Sequence, residues 1–319
     1  MGRPRWMLSA ALLGACGGST EVIGATCQDP PRGPRFARFE DVTRESGVAF
    51  EYRSETFKGG GLAVVDLDRD GLPELVAGRR DGGLAVFRNR GGLRFDEDFG
   101  SGLDASAAAT AIGAGDLDND GDLDLIIARA GGASVLANAG AGTFVEAARF
   151  ESSGSTEHVL AADLDGDGLL DLHFSNYDLR SADGTRNRLF MNRGTLQFSA
   201  PALLGAGLSW TATAFDVDGD GDQDLHVAND TLLSDPGLPV EPPIPQWPVD
   251  LVHRNDGPGP GGVLQFTDIA AAVGLAGPRS SMGGLLGDFD EDGRLDLFIT
   301  DFGAKKLFVR DPAGAYREQ

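Results

Sequence analysis

Five stretches of this sequence share one register. In Asp116-Leu117-Asp118-Asn119-Asp120-Gly121-Asp122-Leu123-Asp124, acids stand at positions 1, 3, 5 and 9, with glycine at 6. The same register returns in Asp66-Leu-Asp68-Arg-Asp70-Gly71-Leu-Pro-Glu74 and Asp163-Leu-Asp165-Gly-Asp167-Gly168-Leu-Leu-Asp171. It returns again in Asp216-Val-Asp218-Gly-Asp220-Gly221-Asp-Gln-Asp224 and Asp288-Phe-Asp290-Glu-Asp292-Gly293-Arg-Leu-Asp296. Asp and Gly favour surface turns anyway, but chance turns do not repeat one register five times. A hard cation such as Ca²⁺ takes six to eight oxygens in a flexible cage. Alternating acids on a tight loop converge on one point, and glycine permits the backbone reversal that brings them together. Up to five Ca²⁺ are therefore expected, held by the acids at 1, 3, 5 and 9. The position-7 carbonyls of Leu72, Asp122, Leu169, Asp222 and Arg294 would add a further oxygen each. Glu74, beside Pro73, is the one departure from Asp at position 9. An EF-hand closes instead on Glu at position 12 between two helices, whereas these loops are flanked by short apolar runs.

The first acids fall at 66, 116, 163, 216 and 288, spacings of 50, 47, 53 and 72 residues. That period is the size of a propeller blade or a solenoid unit. Each unit repeats its landmarks. An apolar run precedes the loop and another follows it. A third run ends at a turn residue (Asn89, Asn138, Asn192, Asn255, Asp311), and a fourth begins at an aromatic (Phe95, Phe144, Phe198, Phe266, Tyr316). Four short strands joined by Gly, Asn and Asp turns make one blade. No long segment has helical periodicity, so almost no helix is expected. The fold predicted is an all-β β-propeller with five recognisable four-stranded blades, either a five-bladed ring or part of a larger one. Phe39-Glu-Asp-Val-Thr-Arg-Glu-Ser-Gly-Val48 matches Phe266-Thr-Asp-Ile-Ala-Ala-Ala-Val-Gly-Leu275. It reads as an outer fourth strand without a blade ahead of it, which covers the last blade's own fourth strand, replaces it or stands free.

These loops resemble the FG-GAP/VCBS repeat of integrin-α-like propellers. Phe39–Val48 together with Asn187-Arg-Leu-Phe-Met-Asn192 is most similar to the cartilage acidic protein, or ASPIC-UnbV, type. The resemblance covers residues 36–319 and implies Ca²⁺ between strands 1 and 2 of each blade. Members are often seven-bladed, whereas five units are visible here.

The chain of 319 residues is 24% charged and 41% hydrophobic, a globular composition. Its net charge of −22 argues against nucleic acid, whose phosphates need a basic face. Of its 49 acids, 23 lie in the five loops, so the acidity is metal-site chemistry rather than an interaction tail. At the N-terminus, Arg3 and Arg5 precede the apolar run Trp6–Leu13 and then Leu13-Gly14-Ala15-Cys16. Residues 1–16 read as an export signal. Its end resembles a bacterial lipobox, which makes Cys16 the lipidation site and the lipid the only membrane anchor, since the run is too short to span a bilayer. Without lipidation, Cys16 and Cys27 could pair in an oxidising compartment. Residues 17–35 read as a linker and 36–319 as the propeller. The protein is expected at the membrane, cell surface or periplasm, or else secreted.

His173, His226 and His253 occupy strand positions held by apolar residues in other units, so they are expected to pack with a satisfied ring nitrogen. No nucleophile or catalytic motif accompanies the Glu157–His158 pair. Blades 3 and 4 carry insertions between strands 2 and 3, on the face away from the acidic loops: Tyr177–Thr185, and a proline-rich stretch from Asp230 to Asp250. Glu157, His158, Tyr177, Trp210 and Trp247 are candidates for a ligand face there, because exposed aromatics anchor partners well. The function expected is an exported Ca²⁺-binding propeller acting as an adhesion or binding module for a protein or glycan, not an enzyme. The alternatives are a polysaccharide lyase or hydrolase on such a propeller and a structural fragment of a larger surface protein.

Overall fold

A computed structural model describes residues 40–50, 60–79, 82–99, 103, 108–178, 184–230, 249–277 and 279–319. Residues 1–39 and Trp247 lie outside these, so the export signal, Cys16, Cys27, the linker and that tryptophan are not described. The unit considered below is Thr43–Gln319.

All but two of its strands are short, and most begin or end at a landmark of the repeat. The first sheet holds β1 (Leu62–Val65), β2 (Glu74–Gly78), β3 (Leu84–Asn89) and β4 (Phe95–Asp98) in sequence order. Next come β5 (Ala109–Gly115), β6 (Asp124–Asn138), β7 (Phe144–Ala162), β8 (Asp171–Tyr177), β9 (Arg186–Phe190) and β10 (Ala202–Ala206), in one six-stranded sheet. A further sheet holds β11 (Ser209–Phe215), β12 (Asp224–Asn229), β13 (Leu251–Pro258) and β14 (Leu264–Asp268). The last holds β15 (Ser281–Gly287), β16 (Asp296–Asp301), β17 (Lys306–Arg310) and β18 (Tyr316–Glu318). Every pairing is antiparallel. The only helical element among the described residues is a 3-10 turn at Pro260–Gly262.

This is an all-β propeller of four sheets, which corrects the expectation of five separate blades. The second and third loop units share the six-stranded sheet. Residues 144–151 of β7 pair with the second unit's β6, while 155–162 pair with the third unit's β8. The chain passes from one unit to the next in extended conformation, so no turn parts the two ladders.

The core lies between successive units, and the loops themselves feed it. Position 2 of each loop is apolar. Leu67, Leu117, Leu164 and Val217 are buried and pack with the following unit: Leu67 with Leu125 and Ile127, Leu117 with Leu172, Leu164 with Leu225, Val217 with Leu297. The fifth counterpart, Phe289, is 48% exposed.

The Phe39–Val48 segment is not a strand where it is described. Residues 43–47 form a turn that docks on the first sheet. Phe95 donates its amide to Ser46 O at 2.7 Å, and Phe50 meets Phe87 edge-on at 6.0 Å. Its sequence match behaves alike, with Tyr316 donating to Val273 O at 2.8 Å. Both segments need glycine at the contact: a Cβ on Gly47 would sit 2.3 Å from Phe95 O, and one on Gly274 2.5 Å from Tyr316 O.

Candidate metal loops and the opposite end of the blades

All five loops join the first two strands of their units and close by the same hydrogen bonds. The glycine amide at position 6 donates to the position-1 carboxylate at 2.9–3.1 Å: Gly71 to Asp66, Gly121 to Asp116, Gly168 to Asp163, Gly221 to Asp216, Gly293 to Asp288. The position-7 amide donates to the position-5 carboxylate: Leu72 to Asp70, Asp122 to Asp120, Leu169 to Asp167, Asp222 to Asp220, Arg294 to Asp292. The glycines have φ between 86° and 103°, the left-handed region that only glycine enters cheaply. Position 4 is left-handed too, at Arg69, Asn119, Gly166, Gly219 and Glu291. Sequence reasoning missed that second reversal, because only two of the five residues are glycine.

The position-9 acids begin the second strand of each unit and are buried. Glu74, Asp124, Asp171, Asp224 and Asp296 are all at most 1% exposed. One carboxylate oxygen accepts the position-2 amide: Leu67, Leu117, Leu164, Val217 or Phe289, at 2.8–3.1 Å. The other accepts an amide at the end of the third strand: Asn89, Asn138, Asn192, Asn255 or Arg310. Each acid is thus a strut across its blade as well as a member of the acidic loop. Burial pushes the Asp124 and Asp171 carboxyls up to about 6, against the two backbone hydrogen bonds, and raises Glu74 and Asp224 as well. Asp165 and Asp290 are raised by local desolvation, with Asp167 and Asp292 respectively as the next cause.

Three carboxylates of each loop bring an oxygen within 4.8 Å of one another. They are Asp66, Asp68 and Asp70; Asp116, Asp118 and Asp120; Asp163, Asp165 and Asp171; Asp216, Asp218 and Asp224; Asp288, Asp290 and Asp296. The donors are all oxygen, which suits a hard cation. The chain itself leaves Asp116 Oδ1 buried without a hydrogen-bond partner, an arrangement that a cation would satisfy. These residues fit a metal ion.

The turn residues proved to be ties between units. Asn138 Nδ2 donates to Leu67 O at 2.9 Å, Asn192 Nδ2 to Leu117 O at 2.7 Å and Asn255 Nδ2 to Leu164 O at 2.7 Å. Arg310 Nη2 reaches Val217 O in the same way. Each clamps the position-2 carbonyl of the preceding loop. The regular recurrence of Asn was visible in the sequence; its partner, 71 to 91 residues upstream, was not.

At the other end of the strands lies a buried polar seam. Thr156 Oγ1 donates to Asn176 Oδ1, the Asn176 amide to Asn187 Oδ1, Asn187 Nδ2 to Ser209 Oγ, and Ser209 Oγ to Asn229 Oδ1, all at 2.7–3.0 Å. The Asn229 amide then donates to Asp250 Oδ1 at 2.9 Å, and Asp250 Oδ2 accepts from Arg279 Nε and Ser281 Oγ at 3.1 and 2.8 Å. These side chains from Thr156 to Ser281 are at most 7% exposed. Burial would raise the Asp250 carboxyl, but the neighbouring His226 ring, the Arg279 guanidinium and the Asn229 amide hold it below its ordinary value.

Of the proposed ligand-face residues, Glu157, His158, Tyr177 and Trp210 are described, and they are mostly interior. Tyr177 is 5% exposed and lies 4.8 Å from Trp210 in a tilted ring contact, and Glu157 is 8% exposed. Trp210 is half-buried and turns its Nε1 to Asp230 Oδ2 at 3.4 Å. Burial, then Asp230 and Glu157, push the Tyr177 hydroxyl up. Tyr177 is therefore a packing residue and not the exposed anchor expected, because its ring fills space beside Trp210.

His158 accepts the Ala212 amide at 3.4 Å, and burial lowers its pKa to about 4. His173 is fully buried, held down to about 3 by burial and then by His253. The expectation of a satisfied nitrogen fails for His173 and His226, whose ring nitrogens make no hydrogen bond; His226 Nε2 stands 3.7 Å from Asp250 Oδ2. Both rings replace apolar residues in fully buried strands and are held by packing.

The fold and its five acidic loops define a β-propeller built on acidic-loop repeats. Residues 66–127 and 116–174 match the family model described as the FG-GAP-like repeat, which together with the four-sheet fold supports an FG-GAP-repeat propeller. The model that matches is the general repeat, not the narrower cartilage acidic protein type. No protein of curated function matches the chain in sequence. Among solved structures, an Agrocybe aegerita lectin that recognises non-reducing terminal N-acetylglucosamine is similar, with a TM-score of 0.51 and 16% identity over 82% of this chain and 65% of that one. The V. cholerae biofilm matrix protein Bap1 is similar at a TM-score of 0.47 and 14% identity, over 81% of this chain and 39% of that one. A Lactobacillus plantarum protein gives 0.49 and 15% identity, over 82% and 70%. This chain therefore spans less than two thirds of the first two. No helix among the described residues is long and apolar enough to cross a membrane.

Proposed function

We propose that this protein is an exported, Ca²⁺-stabilised binding or adhesion module that recognises a protein or glycan and catalyses no reaction. The observation that carries the reading is the fivefold recurrence of one loop, with three carboxylates gathered in each. Ca²⁺ would be held by the acids at positions 1, 3, 5 and 9, with the position-7 carbonyl. The ion would neutralise carboxylates that otherwise repel, and so couple the loops to the blades through the buried position-9 acids. The lectin's recognition of a terminal sugar makes glycans one arm of a ligand search, and proteins the other. Residues 1–16 carry the export reading, with lipidation at Cys16 as the anchor.

Calorimetric titration of metal-stripped protein with Ca²⁺, paired with thermal melts, tests the metal. Ligand that binds only the native state stabilises it. The melting temperature should therefore climb with Ca²⁺ and fall in EDTA; equal melts for protein shown to hold Ca²⁺ would refute the reading. For the anchor, Cys16→Ser should release the protein from membranes, and an unmodified mature N-terminus beyond Cys16 would contradict lipidation.

A further inference from the structure

The clefts between successive metal loops are not alike. Between the first and second loops, Arg69, at position 4, crosses to its neighbour. Its Nε pairs with Asp122 at 2.9 Å and its Nη2 donates to Asp120 O at 3.2 Å. The guanidinium lies so close over Gly121 that a Cβ there would stand 2.5 Å from Nη2. Between the second and third loops, Asn119, again at position 4, donates to Gly168 O at 3.0 Å. Beside the fourth and fifth, Arg310 reaches Val217 O, and Arg294 Nε donates to Arg310 O at 3.0 Å.

Among the described residues, no arginine crosses the cleft between the third and fourth loops, where only the shorter Asn255 side chain reaches Leu164 O. Position 4 of the third loop is Gly166, and a cavity of about 460 Å³ opens there, lined by Ala162, Asp163, Leu164, Gly166, Gly221, Asp222 and Gln223. Asp222 is the counterpart of Asp122, the acid that Arg69 pairs. Its Oδ1 is buried and has no hydrogen-bond partner. A Cβ on Gly221 would meet nothing within 4 Å, where one on Gly121 would strike the guanidinium. The protein thus contains the same cleft twice, once filled by its own arginine and once with the space and the acid kept.

We propose that the cleft between the third and fourth loops receives a guanidinium side chain from a partner protein, in the place that Arg69 takes between the first and second. Arginine suits it because the planar fork can meet a carboxylate and a backbone carbonyl together, as Arg69 does. This deepens the binding-module reading and rests on it, giving the protein-ligand arm a chemistry and a location on the metal-loop face.

The test uses the full chain, saturated with Ca²⁺ at physiological salt, and a blocked Gly-Arg-Gly peptide followed by NMR or calorimetry. One site should saturate, and the citrulline peptide, which is neutral, should bind at least tenfold more weakly. Gly166→Arg should plug the cleft and weaken the peptide at least tenfold. Arg69 shows that this loop position tolerates arginine at φ 59°. Gly219→Arg adds the same charge one loop further on and should leave binding unchanged. Arg69→Gly should open the first cleft and raise the stoichiometry from one to two. Equal binding of the citrulline peptide, no effect of Gly166→Arg, an equal loss in Gly219→Arg, or no binding at all would each overturn the proposal. The Ca²⁺-dependent melt, run on every variant, checks folding; if it persists while the peptide fails, the cleft proposal falls alone and the metal reading stands.

Discussion

At the loop end of the blades, Glu74, Asp124, Asp171, Asp224 and Asp296 each brace the same two backbone amides. Among the described residues, the side-chain seam at the opposite end runs from Thr156 in the third unit to Ser281 in the fifth, and the second unit joins it through the Thr110 hydroxyl, which donates to Thr156 O. The positions that the first two units offer there include Gly78 and Ala109, and a Cβ on Gly78 would already stand 2.9 Å from the Ala109 methyl. One end is constrained unit by unit. The other varies, closed by small residues in one half and by polar side chains in the other. If each loop holds its own ion, as proposed, it needs the same acids wherever it recurs, since each ion must find its own oxygens. The far end needs only that its buried polar groups find partners, and many side-chain sets meet that demand.

The comparison can be broken at its strongest point. Asp171→Ala removes both acceptors from the buried amides of Leu164 and Asn192. It should cost about 3–5 kcal/mol in denaturant unfolding even without metal; a cost below about 1 kcal/mol would show that the strut is only a metal ligand. At the far end, Asn229→Ala loses bonds to Ser209 and Val249 and should cost about 1–3 kcal/mol. Unlike the first, that loss should be the same with and without Ca²⁺.

Acid separates the metal-free from the Ca²⁺-loaded loop end by sign. Asp124 and Asp171 have folded pKa values near 6 against an ordinary 3.8. Between about pH 6 and 4 the metal-free folded chain takes up protons that the unfolded chain does not, so stability rises as pH falls, by roughly 1 kcal/mol per group after allowance for screening. With Ca²⁺ present, the same protons compete with the ion and stability should fall over that range. Melts across pH in EDTA and in Ca²⁺ should therefore slope in opposite directions, and parallel slopes would refute the coupling. The smallest effect is expected for Arg69→Ala, an exposed pair with Asp122, at about 0–1 kcal/mol. A larger loss would mean that the first two loops depend on that plug for their fold.

The acidic loops were legible because nine contiguous residues hold each one, so acid and glycine at fixed positions announce it wherever it occurs. Strand order within a unit followed from the spacing of turn residues and aromatics. Sheet boundaries did not. Whether β7 breaks between the second and third units depends on the path of residues 152–155, Ser-Ser-Gly-Ser, which read as a loop in sequence yet stay extended in the sheet. Tyr177 and Trp210 were candidates for one ligand face, yet their ring contact and the burial of Tyr177 were invisible in the sequence, because exposure depends on neighbours from other strands.

The sequence by itself determined the repeat, its strand content and the acids of each loop, since all of these are local or periodic. Only the tertiary structure decided which ends are tied together. Asn192 finds Leu117 across 75 residues, and Gly166 faces Asp222 across one cleft of about 460 Å³. Such partners are chosen by how one sheet stacks on the next, and no property of either residue alone encodes that neighbour.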